Sequence, residues 1–277
     1  MTTLKLDQMP PTVQKRKKPR WRKMSPLSYI LLTLVGFISV FPFYWMVIVA
    51  SNGNEEISKE TPSLLIGPRL GEVIGHVFEA NEYFGVSMWN TVFVGTIVAA
   101  AQVFFSSVAG FAFAKLNFKG RKFLVLFVVG TMMLPSQLGI IPLYMLVASL
   151  GWMNTLTALI VPALVTAFGV FWMRQIIDAQ VPNELLEAAS IDGAGVFRIY
   201  WQIVFPLILQ SGFVLGLFSF LAVWNDFLWP LLVLNDPQQF TVQVAVNQLQ
   251  SAYTIDYALN LGGAFLATAP LLVLFLF

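Results

Sequence analysis

Residues 27–50 read LSYILLTLVGFISVFPFYWMVIVA, a run of 24 residues in which no side chain carries a charge. A helix needs about 20 predominantly apolar residues to cross the hydrocarbon core of a bilayer, so this run is long enough to span a membrane. It is also long for the apolar part of a secretory leader, and it lacks an obvious small-x-small cleavage site. The run therefore predicts a permanent membrane-spanning helix.

Five more apolar stretches follow, and each has the length and composition of a spanning helix. The third contains Pro135 and Pro142, which predict a kink in that helix. We therefore predict an all-α fold, a polytopic membrane bundle of six transmembrane helices in one domain over residues 27–277. The predicted spans are 27–50, 88–114, 123–150, 154–173, 207–234 and 257–277, separated by long loops at 51–87 and 174–206.

The overall composition supports the same class of protein. Hydrophobic residues make up 57% of the chain and charged residues only 11%, and the mean hydropathy is +0.75. A soluble domain carries about 25% charged residues, so this chain has too little polar surface for a water-soluble globule.

Residue counts exclude several kinds of site. The chain has no cysteine, and its single histidine, His76, lies in the loop 51–87. Disulfides and thiolate metal sites are therefore excluded, and an intramembrane protease, which needs histidine or a metal cluster within the spans, is disfavoured. The sequence also lacks the G-x-x-x-x-G-K-[ST] loop that cradles nucleotide phosphates. We predict no metal site, no cofactor and no enzymatic activity in this chain.

The distribution of lysine and arginine predicts the topology. Eight of these residues lie in the segment 1–26, four lie between the second and third spans, and two lie between the fourth and fifth. The opposite side has only Lys59 and Arg69. Because short cytoplasmic loops carry the excess of basic residues, the N-terminus and the loop 174–206 are expected in the cytoplasm and the loop 51–87 outside. The basic stretch 15–23 then contacts anionic lipid rather than nucleic acid.

The loop 174–206 is too long for a simple connection and predicts a helix–turn–helix. Pro182 suits the first turn of a helix, and most residues of 183–191 are strong helix formers. Gly193 can take the left-handed conformation that ends a helix, and a second helix fits 195–204. Pro206 is then expected to open the fifth span.

Two interpretations of the first helix remain open on spacing alone. Ala188 and Ala189 are small and permit close approach of another protein, while Glu184 and Glu187 offer partners for basic side chains. An amphipathic helix packed beneath its own bundle, without any partner, has the same pattern.

A known family shares this pattern. Glu187-Ala188-Ala189, three residues, Gly193, nine residues, Ile203, and Pro206 three residues later resemble the EAA loop of bacterial ABC importer permeases. The extended form over 187–194 is similar to that of the carbohydrate-uptake branch, close to permeases of the maltose type. Phe205 departs from the leucine usual in the family. Further matches occur in family order at 109–115 with 120–121, 142–144, 171–175 and 224–226, so the resemblance covers nearly the whole chain.

The resemblance implies that the loop forms a coupling helix held by a cytoplasmic ATPase subunit. Glu187 would pair with a basic residue of that subunit, and Ala188 and Ala189 would allow close packing. The implied contact set is Glu184, Glu187, Ala188, Ala189, Asp192 and Gly193.

The resemblance also implies the partners and the location of the chain. They are two cytoplasmic ATP-binding subunits that hold ATP and Mg, a second and different permease, and an external substrate-binding protein that docks on the loop 51–87. The location is the cytoplasmic membrane of a bacterium or archaeon. Family members continue past the last span into a short cytoplasmic tail, whereas this sequence is still apolar at Phe277.

The function implied is import of a sugar or oligosaccharide by alternating access. Candidate pathway residues are Gln137, Trp224, Asn225 and Asp226, because aromatic faces stack on sugars and polar groups satisfy hydroxyls. Each has a second interpretation: Trp224 in an interfacial aromatic belt, Gln137 in a helix–helix hydrogen bond, and Asp226 hydrated near the outer interface. The alternatives are a permease for another small polar solute, or an ion-coupled transporter, which would need ionisable groups near the midplane.

Overall fold

A computed structural model describes residues 25–54, 59, 63–250 and 256–276. Nearly all of the predicted basic segment 1–26 and part of the predicted external loop lie outside these residues. The described residues contain helices and turns and no strand. The chain divides into two compact units, Met1–Tyr44 and Trp45–Phe277.

The described helices form a single order along the chain. They are α1 (Pro26–Asn52), α2 (Leu70–Ala80), α3 (Phe84–Lys115), α4 (Arg121–Thr131), α5 (Ile140–Ser149), α6 (Thr157–Ile160), α7 (Ala167–Gln180), α8 (Asn183–Ile191), α9 (Val196–Ile199), α10 (Phe205–Trp224), α11 (Leu228–Val233), α12 (Val242–Gln248) and α13 (Tyr257–Leu276). Short 3₁₀ turns occupy Ser136–Gly139, Val161–Ala163 and Pro237–Gln239, and a π turn occupies Tyr200–Val204.

Four continuous helical segments are long and apolar enough to cross a membrane: Pro26–Asn52, Phe84–Lys115, Val196–Trp224 and Tyr257–Phe275. Two bent pairs of helices also have the length and composition of a span, which gives six spans if each pair is one. The predicted all-α polytopic bundle is therefore confirmed.

The third and fourth predicted spans are broken rather than continuous, which corrects the sequence analysis. Arg121–Thr131 and Ser136–Ser149 meet at 96°, a much sharper change of direction than the predicted kink. The break falls before Pro135, which cannot donate a backbone hydrogen bond and restricts the residue before it. The fourth span bends by 42° after Ala163, and its second half continues to Gln180 rather than ending at Met173.

The predicted second helix of the helix–turn–helix is part of the fifth span, so this prediction was wrong. Helix continues from Val196 through the π turn into α10, although Pro206 lies in its path. Proline in a regular helix removes one bond and clashes with the carbonyl four residues earlier. The π turn resolves the conflict because the Phe205 N–H bonds to the Tyr200 carbonyl, five residues back.

Helix α3 is the centre of the second unit. It contributes buried residues to all three apolar clusters: Val94 near the fourth span, Phe111 near α7, and Phe84 near α13. Its packing against α7 is close, since a Cβ built on Gly110 would lie 2.8 Å from the backbone nitrogen of Arg174. Helices α3 and α7 therefore form a tightly packed pair that leads from the bundle to α8.

Candidate functional site

Helix α8 is a short, well-terminated helix between two backbone stops. Pro182 precedes it in an extended conformation (φ −63°, ψ 141°), and Gly193 follows it with φ +80°. The N–H of Gly193 bonds to the Ser190 carbonyl and that of Ala194 to the Ala189 carbonyl, at 3.1 and 2.9 Å. This bond pair is a Schellman cap, and it confirms the left-handed conformation predicted for Gly193.

One face of α8 is packed inward, and it includes a residue predicted to be exposed. Leu186 and Ala189 pack against the buried cluster that contains Met173 and Ile177. Ala189 is therefore half-buried and belongs to the attachment of α8 to its own bundle. This position corrects the expectation that Ala189 presents a small contact surface to a partner.

The opposite face of α8 is accessible and carries both acidic and apolar groups. Ile191 at its end is 86% exposed, and Phe197 just beyond the turn is 78% exposed. Apolar side chains of this size are seldom left in water singly next to charges without a binding role. We call the exposed residues of this stretch the α8 surface: Glu184, Glu187, Ala188, Ile191, Asp192 and Phe197.

A buried cation fixes the start of α8. The Lys115 Nζ, on a side chain only 5% exposed, donates to Asn183 Oδ1 at 2.9 Å and lies 3.9 Å from Asp178 Oδ1. Lys115 occupies the last turn of α3, where a positive charge is also favoured by the helix dipole. The contact joins α3 directly to the first turn of α8, beside a cavity of about 840 Å³ that Glu187 also lines.

The sequence analysis treated Lys115 as one of the residues that set topology and as the end of a family motif. Its contact with Asn183 spans 68 positions and could not be read from local spacing. A lone lysine at the end of a long apolar helix, facing a polar residue that opens the next short helix, is the available signal.

Trp224 is a core residue, which corrects its assignment to the solute pathway. Its side chain is 1% exposed, and its indole N–H donates to the Ala267 carbonyl of α13 at 3.1 Å. Its ring packs against Phe220 with centroids 5.5 Å apart. Neither a solute cavity nor an interfacial belt describes this position.

The other three pathway candidates are not brought to one place with it. Asn225 is exposed and bonds back to the Leu221 carbonyl, and Gln137 is exposed in the 3₁₀ turn at the break of the third span. Asp226 lies beyond the end of α10, where burial raises the pKa of its carboxyl and hydrogen bonds from the backbone of Trp229 and Leu228 lower it. It lines a cavity of about 160 Å³ whose described lining includes none of the other candidates.

No metal cluster forms within the described ranges, where no group of three or more His, Cys, Asp or Glu side chains is placed to hold an ion. The chemistry available at the α8 surface is accordingly that of docking, with two acids and apolar side chains on a helix that is rigidly capped.

Comparisons with known proteins identify relatives over almost the full length. The sequence model of a family described as "Binding-protein-dependent transport system inner membrane component" matches residues 102–277. An arabinooligosaccharides transport system permease protein of Halalkalibacterium halodurans is 33% identical over 92% of this chain and 94% of its own length. A lactose transport system permease protein of Rhizobium radiobacter is 33% identical over 90% of each chain.

Two further likenesses extend the comparison. An sn-glycerol-3-phosphate transport system permease protein of Yersinia enterocolitica is 28% identical over 83% of this chain and 84% of its own length. The fold matches a crystal structure of a bacterial ABC transporter involved in the import of the acidic polysaccharide alginate. The TM-score is 0.79 at 17% identity, covering 90% of this chain and 92% of that one.

Proposed function

The chain belongs to the family of binding-protein-dependent transport system inner membrane components, and from that premise we propose that it imports a carbohydrate. It is a permease subunit of an ABC importer, a transport component of the membrane and not an enzyme. The observation that carries the substrate proposal is the 33% identity to two permeases named for arabinooligosaccharides and for lactose.

We propose that the α8 surface is where two cytoplasmic ATP-binding subunits, which hold ATP and Mg, act on the permease pair. Support comes from the exposed Glu187 and Ile191, from the Schellman cap at Gly193, and from the tether between Lys115 and Asn183. A helix held at both ends transmits a displacement instead of absorbing it. A nucleotide-dependent grip on α8 then shifts the permease between its two access states through differential affinity.

The remaining partners follow from the same assembly. A second permease completes the pathway, and an external binding protein delivers the solute to the outer loop. Helix α2 is a firm base for that contact, since Val73 packs so closely on α13 that a Cβ at Gly262 would lie 2.6 Å from its Cγ1. In this arrangement the N-terminus and the α8 surface lie in the cytoplasm.

Asn225, Asp226 and Gln137 are proposed to meet the hydroxyl groups of the solute. Asn225 and Gln137 are exposed on the protomer, and amide groups both donate to and accept from hydroxyls. Trp224 has no part in this proposal because it is buried.

Uptake by the reconstituted importer tests the substrate. We expect ATP-dependent accumulation of an oligosaccharide or disaccharide, competed by its congeners and not by sn-glycerol-3-phosphate. The relative named for sn-glycerol-3-phosphate supports a second candidate, a phosphorylated polyol. Competition by the phosphate ester alone would select that candidate and refute carbohydrate import.

A further inference from the structure

A single amide side chain lies at the break of the fourth span. Gln102, in the apolar interior of α3, is 7% exposed, and its Nε2 donates to the Ala163 carbonyl at 2.9 Å. In an unbroken helix that carbonyl would accept from the N–H four residues later. The bend removes this partner, and an unsatisfied carbonyl within a bilayer costs several kcal/mol. Gln102 therefore replaces the missing helical bond.

The other end of the same amide joins two more elements. The Gln102 Oε1 accepts from the Thr166 hydroxyl at 3.2 Å and from the Ser219 hydroxyl of α10 at 2.8 Å. Thr166 also caps α7, because its Oγ1 accepts from the Gly169 N–H at 3.1 Å. The Gln102 node, defined as Gln102, Ala163, Thr166 and Ser219, thus ties both sides of the break to α3 and α10.

The break separates the α8 surface from the half of the span beyond it. Helix α7 runs from the node to Gln180, and α8 begins three residues later at Asn183. At 1.5 Å per residue the 14 residues of α7 form an arm about 21 Å long. A force applied at α8 reaches the far half of the span, Thr157–Ala163, only if the break does not yield.

We infer that Gln102 is a positioning residue for transport, which stiffens the broken fourth span so that displacement of α8 reaches the far half of the bundle. The inference rests on the coupling role proposed for α8. Close packing along α3 supports it, because a Cβ on Gly169 would lie 2.5 Å from Ser106 Oγ, so α3 and α7 must move together below the node. Above it, the polar bonds of Gln102 and the apolar contacts of the first cluster hold the span to α3.

Two variants remove the node and two leave it intact. Gln102→Leu keeps the approximate size and loses all three bonds, and Thr166→Val keeps the shape and loses the hydroxyl. Thr166→Ser retains the hydroxyl. Thr268→Val is the matched control, because the Thr268 hydroxyl donates only to Ala264 of its own helix, at 2.7 Å.

The decisive quantity is the number of solute molecules moved per ATP hydrolysed by the reconstituted complex. We expect Gln102→Leu and Thr166→Val to lower that ratio about tenfold, within the usual range of coupling between sites. ATP hydrolysis itself should stay within about twofold of wild type, because the motor subunits still grip an intact α8 surface. Thr166→Ser and Thr268→Val should keep the wild-type ratio.

Hydrogen exchange on the full chain in lipid discs gives a readout independent of the motor. Amides of residues 167–170 should exchange about tenfold faster in Thr166→Val, because local opening becomes easier. Faster exchange with an unchanged transport ratio would overturn the inference, as would equal losses in Thr166→Val and Thr166→Ser.

Failure of the coupling role would look different. It would show as normal transport when Glu187 is replaced by lysine, whatever happens at the node. If Gln102→Leu does not assemble, Ser219→Ala removes one bond of the node and leaves the Ala163 carbonyl satisfied; an unchanged ratio in both Ser219→Ala and Thr166→Val then rejects the inference.

Discussion

At the scale of single residues, Glu187 is the most direct test of the α8 surface. Glu187→Lys reverses the charge offered to a basic residue of the motor, so ATP-driven uptake is expected to disappear while membrane insertion is retained. Removing one side of a charge pair at an interface costs about 2–5 kcal/mol, and a like charge costs more. Uptake assays with a membrane-fraction blot measure both properties.

Glu82→Lys is the control for this change, since Glu82 is also exposed but lies between α2 and α3, in the predicted external loop. Normal uptake by Glu187→Lys would refute the coupling role of the α8 surface.

Trp224 gives a residue-scale prediction of a different kind. Trp224→Ala removes a fully buried ring and leaves the Ala267 carbonyl without its donor. We expect a loss of about 3–5 kcal/mol in the free energy of unfolding, seen as a lower melting temperature of the detergent-solubilised chain. Trp224→Phe should lose less, because most of the ring packing remains. An unchanged melting temperature together with poor uptake would return Trp224 to the solute pathway.

At the scale of elements, the end of α8 depends on one backbone conformation. Gly193→Val places a β-branched side chain at φ +80°, which costs about 1–2 kcal/mol and frays the helix. Binding of the ATPase subunit should weaken about tenfold, as measured by pull-down titration. Gly195→Val is the matched control, because Gly195 has φ −72° and open space around it. Equal binding by the two variants would contradict a role for a rigid α8.

The same scale shows how far the sequence could lead. Helix α8 and its stop at Gly193 were predictable because proline, helix formers and glycine act locally within a dozen residues. The breaks after Thr131 and after Ala163 were not, because apolar composition measures the length of a span and says nothing of its continuity. The π turn at Tyr200–Val204 likewise absorbs Pro206, which the sequence alone favours as a boundary.

The site was predictable only in part for a related reason. The exposed positions of Glu184, Glu187 and Ala188 agree with the helical spacing, whereas the burial of Ala189 and Trp224 depends on what α7 and α13 place beside them. Gln102 and Lys115 act across more than 60 positions of sequence, so their roles needed the fold.

At the scale of the whole molecule, the absence of cysteine from the sequence makes the topology directly testable. Ile191→Cys and Glu82→Cys each introduce one thiol at an exposed site. A membrane-impermeant maleimide should label Glu82→Cys in intact cells and label Ile191→Cys only after the membrane is opened. Labelling of Ile191→Cys in intact cells would reverse the topology and with it the assignment of α8 to the cytoplasmic motor.

The large exposed fraction of Ile191 also has a cellular consequence. A permease made in excess of its motor presents a bare greasy knob to the cytosol, beside the equally uncovered ring of Phe197. Such a knob is what chaperones and membrane proteases recognise on orphan subunits. The copy number of this permease in the cell is therefore set by the supply of ATPase protein, because surplus copies are cleared until every knob is capped.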